Sequence, residues 1–197
     1  MTRELEFFFD VGSPYSYLAA TQLHELERRT GATIRWRPFL LGGVFKATGN
    51  EMPARVPAKA RWMLSDLHRW AAHYGVPFKM STRFPINSLL CQRVLTAAAL
   101  ADEATVKPLT LALYAAYWVD DRDVSDPATI SEIAAGAGLD AALLEAAGAQ
   151  PTKDALRAAT EEAVERGAFG APTFFVGQEM FWGNDRLHLV EELLGQG

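Results

Sequence analysis

The chain reads as an α/β domain interrupted by a helical insertion, and three observations predict it. A strand–helix–strand pattern opens the chain, strand signals return only near the end, and the long middle is helical and alanine-rich. Glu4 to Asp10 carries the run Leu5-Glu6-Phe7-Phe8-Phe9, suited to burial on both faces of a sheet. The strand stops at Asp10-Val11-Gly12-Ser13-Pro14, where Ser13 is a good N-cap and Pro14 fits the first helical position. Leu18, Ala19, Gln22 and Leu26 then form one helical stripe ending near Gly31. Thr33 to Pro38 alternates as a second strand, so the opening is a βαβ unit with parallel strands.

Helical patterns follow over 64–74, 89–104, 107–119, 127–137 and 152–166. Asp126-Pro127 is a helix start, with Ile130, Ile133, Ala134 and Ala137 on one face. Strands return at Pro172 to Val176 and Glu179 to Trp182, joined by a turn at Gly177-Gln178. Gly183-Asn184-Asp185 leads into a last helix with Leu187, Val190 and Leu194, closed by Gly195. The predicted division is 1–40 with 165–197 as one discontinuous domain, and 41–164 as the inserted helical domain.

Composition narrows the function classes. The 197 residues are 49% hydrophobic and 22% charged with a net charge of -5, which fits a folded globule. An acidic balance disfavours a nucleic-acid or membrane-surface binder, both of which need clustered cations. No apolar run reaches the ~20 residues that span a bilayer. The start Met1-Thr2-Arg3-Glu4-Leu5-Glu6 mixes charges and does not read as a secretory leader, so the expected location is the cytoplasm. One cysteine, Cys91, excludes an intrachain disulfide and a CxxC redox pair, and it reads as core. The sequence lacks a phosphate loop, a GxGxxG turn, an HExxH helix and a GxSxG elbow. His24, His68, His73 and His188 show no ligand spacing, so no metal site is expected.

Three segments together carry a family resemblance. Phe8-Phe9-Asp10-Val11-Gly12-Ser13-Pro14-Tyr15-Ser16-Tyr17-Leu18 resembles the first strand–turn–helix of the 2-hydroxychromene-2-carboxylate isomerase and kappa-class glutathione transferase group. Phe169-Gly170-Ala171-Pro172-Thr173-Phe174 resembles that group's strand entry, where the family has a cis-proline, and Phe181-Trp182-Gly183-Asn184-Asp185-Arg186-Leu187 its turn into the last helix. Gly49-Asn50, Lys59 and Asp66-Leu67 fall between them in the family's order. The resemblance implies a thioredoxin fold with a DsbA-like helical insertion, glutathione as cofactor, a small aromatic substrate and a homodimer.

It also implies roles, each beside a plainer one. Ser13 alone is an N-cap worth about 1 kcal/mol. In the family's place it donates to a glutathione sulfur that the helix N-terminus holds as an anion. Ala171, before Pro172, would pair with the cysteinyl backbone of glutathione as an added strand does. Asn184 and Asp185 read first as a cap. The family's matching positions bind the γ-glutamyl end, with Trp182 and Gly183 adjoining, and Trp182 is equally a core residue. Lys59 and Asn50 lie in a loop-like stretch with Pro53 and Pro57: Lys59, otherwise a solvated surface lysine, would meet an anionic group of substrate or glutathione, and Asn50 would hydrogen-bond the substrate. Asn87 is a helix cap or a substrate contact, and Asp66 a surface charge or an aid to glutathione recognition. The implied activity is a glutathione-dependent cis–trans isomerase. Its rivals are a kappa-like transferase that releases an adduct and a non-catalytic thioredoxin-fold binder of extended peptides.

Overall fold

The computed structural model describes residues 3–140 and 142–195. Met1, Thr2, Ala141, Gln196 and Gly197, which fall within the predicted domain spans, lie outside the described residues. Four strands form one mixed sheet in the order β2-β1-β3-β4: β1 Glu4–Phe9, β2 Thr33–Pro38, β3 Thr173–Val176 and β4 Glu179–Trp182. β1 runs parallel to β2, with Glu4 opposite Thr33, and antiparallel to β3, with Glu6 opposite Phe175. The two ends of the chain thus build one sheet, with helices α1 Pro14–Thr30 and α9 Leu187–Gly195 beside it. This is the thioredoxin fold in its DsbA-like form.

The run Leu5 to Phe9 is continuous because both faces of the sheet are covered. Phe7 and Phe9 stack on each other at 5.0 Å and meet Trp36 and Phe174 on one face. Phe8 points the other way, against Phe39 and Phe175. The three β1 phenylalanines are fully buried, each stabilising by about 2–3 kcal/mol. Arg166 lies over the Phe175 ring at 3.8 Å and pairs with Glu6 at 2.7 Å, closing the second face with charge as well as apolar contact.

Between β2 and β3 stand α2 Leu41–Thr48, α3 Pro57–Tyr74, α4 Leu89–Ala101, α5 Val106–Trp118, α6 Pro127–Gly136, α7 Ala142–Gly148 and α8 Gln150–Glu165. Several sequence expectations need correction here. Residues 41–48 and 142–148 are helical, and α3 begins at Pro57 instead of Leu64, so Lys59 sits in its first turn and not in a loop. Pro57 occupies the first helical position, where a missing N–H costs nothing. The helix expected to run to Ala104 ends at Ala101, where the Asp102 side chain starts a short 3-10 turn. On α1 the buried stripe is Leu18, Ala19, Leu23 and Leu26, with Gln22 only half-buried. Cys91 is fully buried, and burial raises its thiol well above the usual range.

One polar side chain ties the helical segment to the sheet. Gln92 of α4 is fully buried and donates to the carbonyls of Phe9 at 2.8 Å and Phe39 at 2.9 Å. Its Oε1 accepts from the Val11 N–H at 3.2 Å. The Phe9 carbonyl also accepts from the Phe39 N–H at 3.1 Å, whereas the Phe39 carbonyl and the Val11 N–H lie past the strand ends and are completed by the glutamine.

Asp121 organises the loop after α5. It stands at φ 56° and accepts from the Ser81 hydroxyl at 2.8 Å and the Thr82 N–H at 2.9 Å, beside Lys79 and Arg83. The bonds to Ser81 and Thr82 lower its carboxyl to about 2. A folded-state value below the unfolded one gives stability that is present above the unfolded value and lost as pH falls toward about 2. The gap in urea midpoint between wild type and Asp121→Asn is therefore expected to close between about pH 4 and pH 2. A gap that stays constant across that range would refute the assignment.

Candidate active site

The site forms where the N-terminus of α1 meets the start of β3. Ser13 is only 4% exposed and has extended backbone. Its Oγ accepts from the Ser16 N–H at 3.2 Å, so it is an N-cap, and donates to the Ala171 carbonyl at 3.3 Å. The Ala171–Pro172 peptide is cis, as is Phe84–Pro85, which the sequence did not single out. The Pro172 carbonyl in turn accepts from the Gly183 N–H at 3.0 Å. Ser13, Ala171, Pro172 and Gly183 are therefore one connected set, although the chain brings them from opposite ends.

Residues 183–185 do not cap the last helix as expected. Asn184 to Arg186 form a 3-10 turn before α9, and no side chain caps it. Asn184 is buried and turns toward α3: its Nδ2 donates to the Tyr74 hydroxyl at 3.3 Å, and that hydroxyl donates to the Asn184 carbonyl at 3.0 Å. Asp185 is partly exposed and pairs with its neighbour Arg186 at 2.5 Å. Gly183 stands at φ 100°, and a Cβ there would lie 2.5 Å from the Asp185 carboxylate, so glycine lets Asp185 fold back over the turn.

Tyr15 joins this set, and the sequence reading assigned it no role. Its hydroxyl donates to Asp66 Oδ2 at 3.0 Å. Its ionisation is pushed well up, first by burial and then by the Asp66 and Asp185 carboxylates. A neutral phenol is therefore bonded to the Asp66 carboxylate, with the Asp185 carboxylate near enough to act on it. That arrangement can hold an ammonium group. Trp182 is 46% exposed, a wall and not a core residue, and lies against Phe169 at 4.9 Å. Gly170 permits this, since a Cβ there would meet the Trp182 indole nitrogen at 2.6 Å.

A cavity of about 480 Å³ opens on the other side of the turn, bounded by Asp10, Gly12, Phe45, Asn50, Arg55 and Ile86 among others. Asn50 belongs to its wall, donates to the Phe169 carbonyl at 2.8 Å and accepts from the Glu51 N–H. Lys59 and Asn87 do not line it. Asn87 is exposed and its Oδ1 accepts from the Leu89 N–H at 3.1 Å, the helix-capping role. Lys46 and Arg55 supply cations to this wall instead, and only the folded chain reveals them. Asp10 is a further residue without a sequence-based role. Its carboxylate, 1% exposed, accepts from the Gly12 and Leu41 N–H groups at 2.8 Å each and joins the Ser13 turn to α2. Burial raises its pKa, against opposing hydrogen bonds from Ser88, Leu41 and Gly12. Among the described residues, no three His, Cys, Asp or Glu side chains are grouped to hold a metal ion, and no helix is long and apolar enough to cross a membrane.

Comparison with known proteins agrees with this layout. Residues 4–195 match the model of the DSBA-like thioredoxin domain. The chain is 38% identical over 197 residues to a 2-hydroxychromene-2-carboxylate isomerase of Sphingobium xenophagum, covering 98% of this chain and 99% of that protein. It is 32% identical to glutathione S-transferase kappa 1 of Homo sapiens, over 100% of this chain and 92% of that one. A solved 2-hydroxychromene-2-carboxylate isomerase superposes with a TM-score of 0.86 at 31% identity, covering 98% of this chain and 95% of its own.

Proposed function

The chain is an enzyme of the DsbA-like thioredoxin family, in the group holding 2-hydroxychromene-2-carboxylate isomerases and kappa-class glutathione transferases, and from that premise we propose that it is a glutathione-dependent cis–trans isomerase. The substrate in this reading is an aromatic-degradation intermediate, with 2-hydroxychromene-2-carboxylate converting to trans-o-hydroxybenzylidenepyruvate. The observation that carries it is Ser13, a buried hydroxyl at the α1 N-terminus set against the carbonyl that precedes a cis-proline.

Glutathione, when bound, supplies a thiolate that adds to a conjugated carbon and later leaves, so that a double bond is single while it rotates. Ser13 lends its hydroxyl proton to the sulfur, and the α1 N-terminus favours the anion. The Ala171 backbone aligns the cysteinyl residue, with Pro172 fixing the turn. Asp185, with Asp66 behind Tyr15, meets the γ-glutamyl ammonium, and Asn184, Gly183 and Trp182 shape that end. Asn50 on the cavity wall hydrogen-bonds the substrate, Lys59 at the head of α3, off that wall, is kept for an anionic group of substrate or glutathione, and Asn87 is left as the cap of α4. The only thiol of the chain is buried and held protonated, so Cys91 does not compete. The same reading carries a cytoplasmic location and residues 41–164 as the inserted domain, both expected from the sequence pattern, and a homodimer, inherited from the family resemblance.

The test begins with calorimetric titration of reduced glutathione. Asp185→Asn is expected to weaken binding about tenfold, the loss of one charge-assisted contact. Unchanged affinity would remove Asp185 from the site, and no binding by wild type at millimolar glutathione would sink the proposal. Product analysis decides against the second reading, a kappa-like transferase, favoured by the 32% identity to the human protein. An isomerase returns free glutathione, whereas a transferase accumulates an adduct.

A further inference from the structure

A second cavity, about 680 Å³, lies between α2, α4 and α8, outside the set around Ser13. Its volume is within the range of small-molecule sites. Four cations, Lys46, Arg93, Lys153 and Arg157, line it against two anions, Glu161 and Glu165, in a chain whose net charge is -5. Arg157 pairs with Asp154 at 2.7 Å. Among the described residues Lys46, Arg93 and Lys153 make no ion pair. Arg93 is the central one: it lines the cavity from α4, and although its Nε is buried in the protein, no carboxylate among the described residues pairs with its guanidinium. Apart from Thr160, whose hydroxyl is bonded to the backbone, the rest of the wall is apolar, chiefly Leu40, Leu89, Leu156 and Val164, with no aromatic ring.

We propose that this cavity binds a small organic carboxylate with an aliphatic body, its carboxylate on Arg93 and its chain along Leu156 and Val164. Arg93 is suited to the task because its planar fork presents parallel donors to both oxygens of a carboxylate. The aliphatic wall rewards a body of several methylenes, each adding burial that a bare anion lacks. The site stands apart from the glutathione reading and does not depend on it, although Lys46 borders both cavities.

Octanoate is the probe, with acetate as the charge without the body and 1-octanol as the body without the charge. Calorimetry on the full chain is expected to give submillimolar binding of octanoate. Acetate and 1-octanol should each bind at least about tenfold more weakly. Arg93→Gln should weaken octanoate about tenfold or more, and saturating glutathione should not displace it. Should Arg93→Gln fail to fold, the surface pair Lys153→Gln/Arg157→Gln carries the same expectation at severalfold. Equal affinity for octanoate and 1-octanol, binding indifferent to both variants, displacement by glutathione, or no binding at about 5 mM would each overturn the assignment.

Discussion

Ser13→Ala is expected to lower glutathione-dependent turnover about a hundredfold while glutathione affinity changes severalfold at most. Loss of a single preorganised donor to a developing or resting anion costs on the order of 10² to 10³ in rate. In the resting structure the Ser13 proton points at the Ala171 carbonyl 3.3 Å away, and a hydroxyl rotor can swing it to a sulfur nearby. Without it the glutathione thiol of the proposed mechanism would have only the helix N-terminus to favour its anion, so the acid limb of the pH–rate profile would move to higher pH. The same hydroxyl accepts from the Ser16 N–H at 3.2 Å, so the variant should also lose about 1 kcal/mol of stability. Urea unfolding measures that part separately from steady-state kinetics. A loss of rate under about threefold would leave Ser13 as a cap and nothing more.

Gln92→Leu is the largest stability effect we expect, about 3–5 kcal/mol. The leucine would strand the Phe39 carbonyl and the Val11 N–H, and would remove one of the two donors to the Phe9 carbonyl, which keeps the Phe39 N–H at 3.1 Å. A buried polar group left without a partner costs ~1–3 kcal/mol, and a domain has only about 5–15 to lose. Urea denaturation of the purified variant gives the number. A loss below about 1 kcal/mol would mean that water or a backbone shift replaces the side chain. Because Val11 lies within the turn that carries Ser13, turnover should fall beyond what the folded fraction explains.

The ends of the chain were legible because their patterns are strong and local. Leu5 to Phe9 allows only a strand buried on both sides, and Ser13-Pro14 marks a helix start on capping grounds alone. Helix α2 was hidden by Gly42 and Gly43, which oppose helix formation in isolation. It is held by packing: a Cβ on Gly43 would lie 3.1 Å from the Thr160 methyl of α8. The head of α3 was lost because Pro57 reads equally as a breaker and as a first helical residue. The Tyr15–Asp66 and Tyr74–Asn184 contacts, like the anchoring of Asn50 on Phe169, join distant segments and leave no periodicity to read. Asn184 resembles a cap by residue type, yet it is buried and bonded to the hydroxyl of Tyr74. The family resemblance supplied the roles that local chemistry could not, and the geometry then separated Asn50, on the cavity, from Lys59 and Asn87, off it.

The order β2-β1-β3-β4 has a consequence during synthesis. β1 leaves the ribosome first and finds β2 soon after, but its other edge waits for Thr173–Val176, which emerge only when the chain is nearly complete. Throughout that interval a phenylalanine-rich strand offers unpaired backbone groups to any neighbour. Translation speed, and the chaperones that mask open strand edges on nascent chains, should therefore govern the yield of active protein more than the stability of the finished fold does.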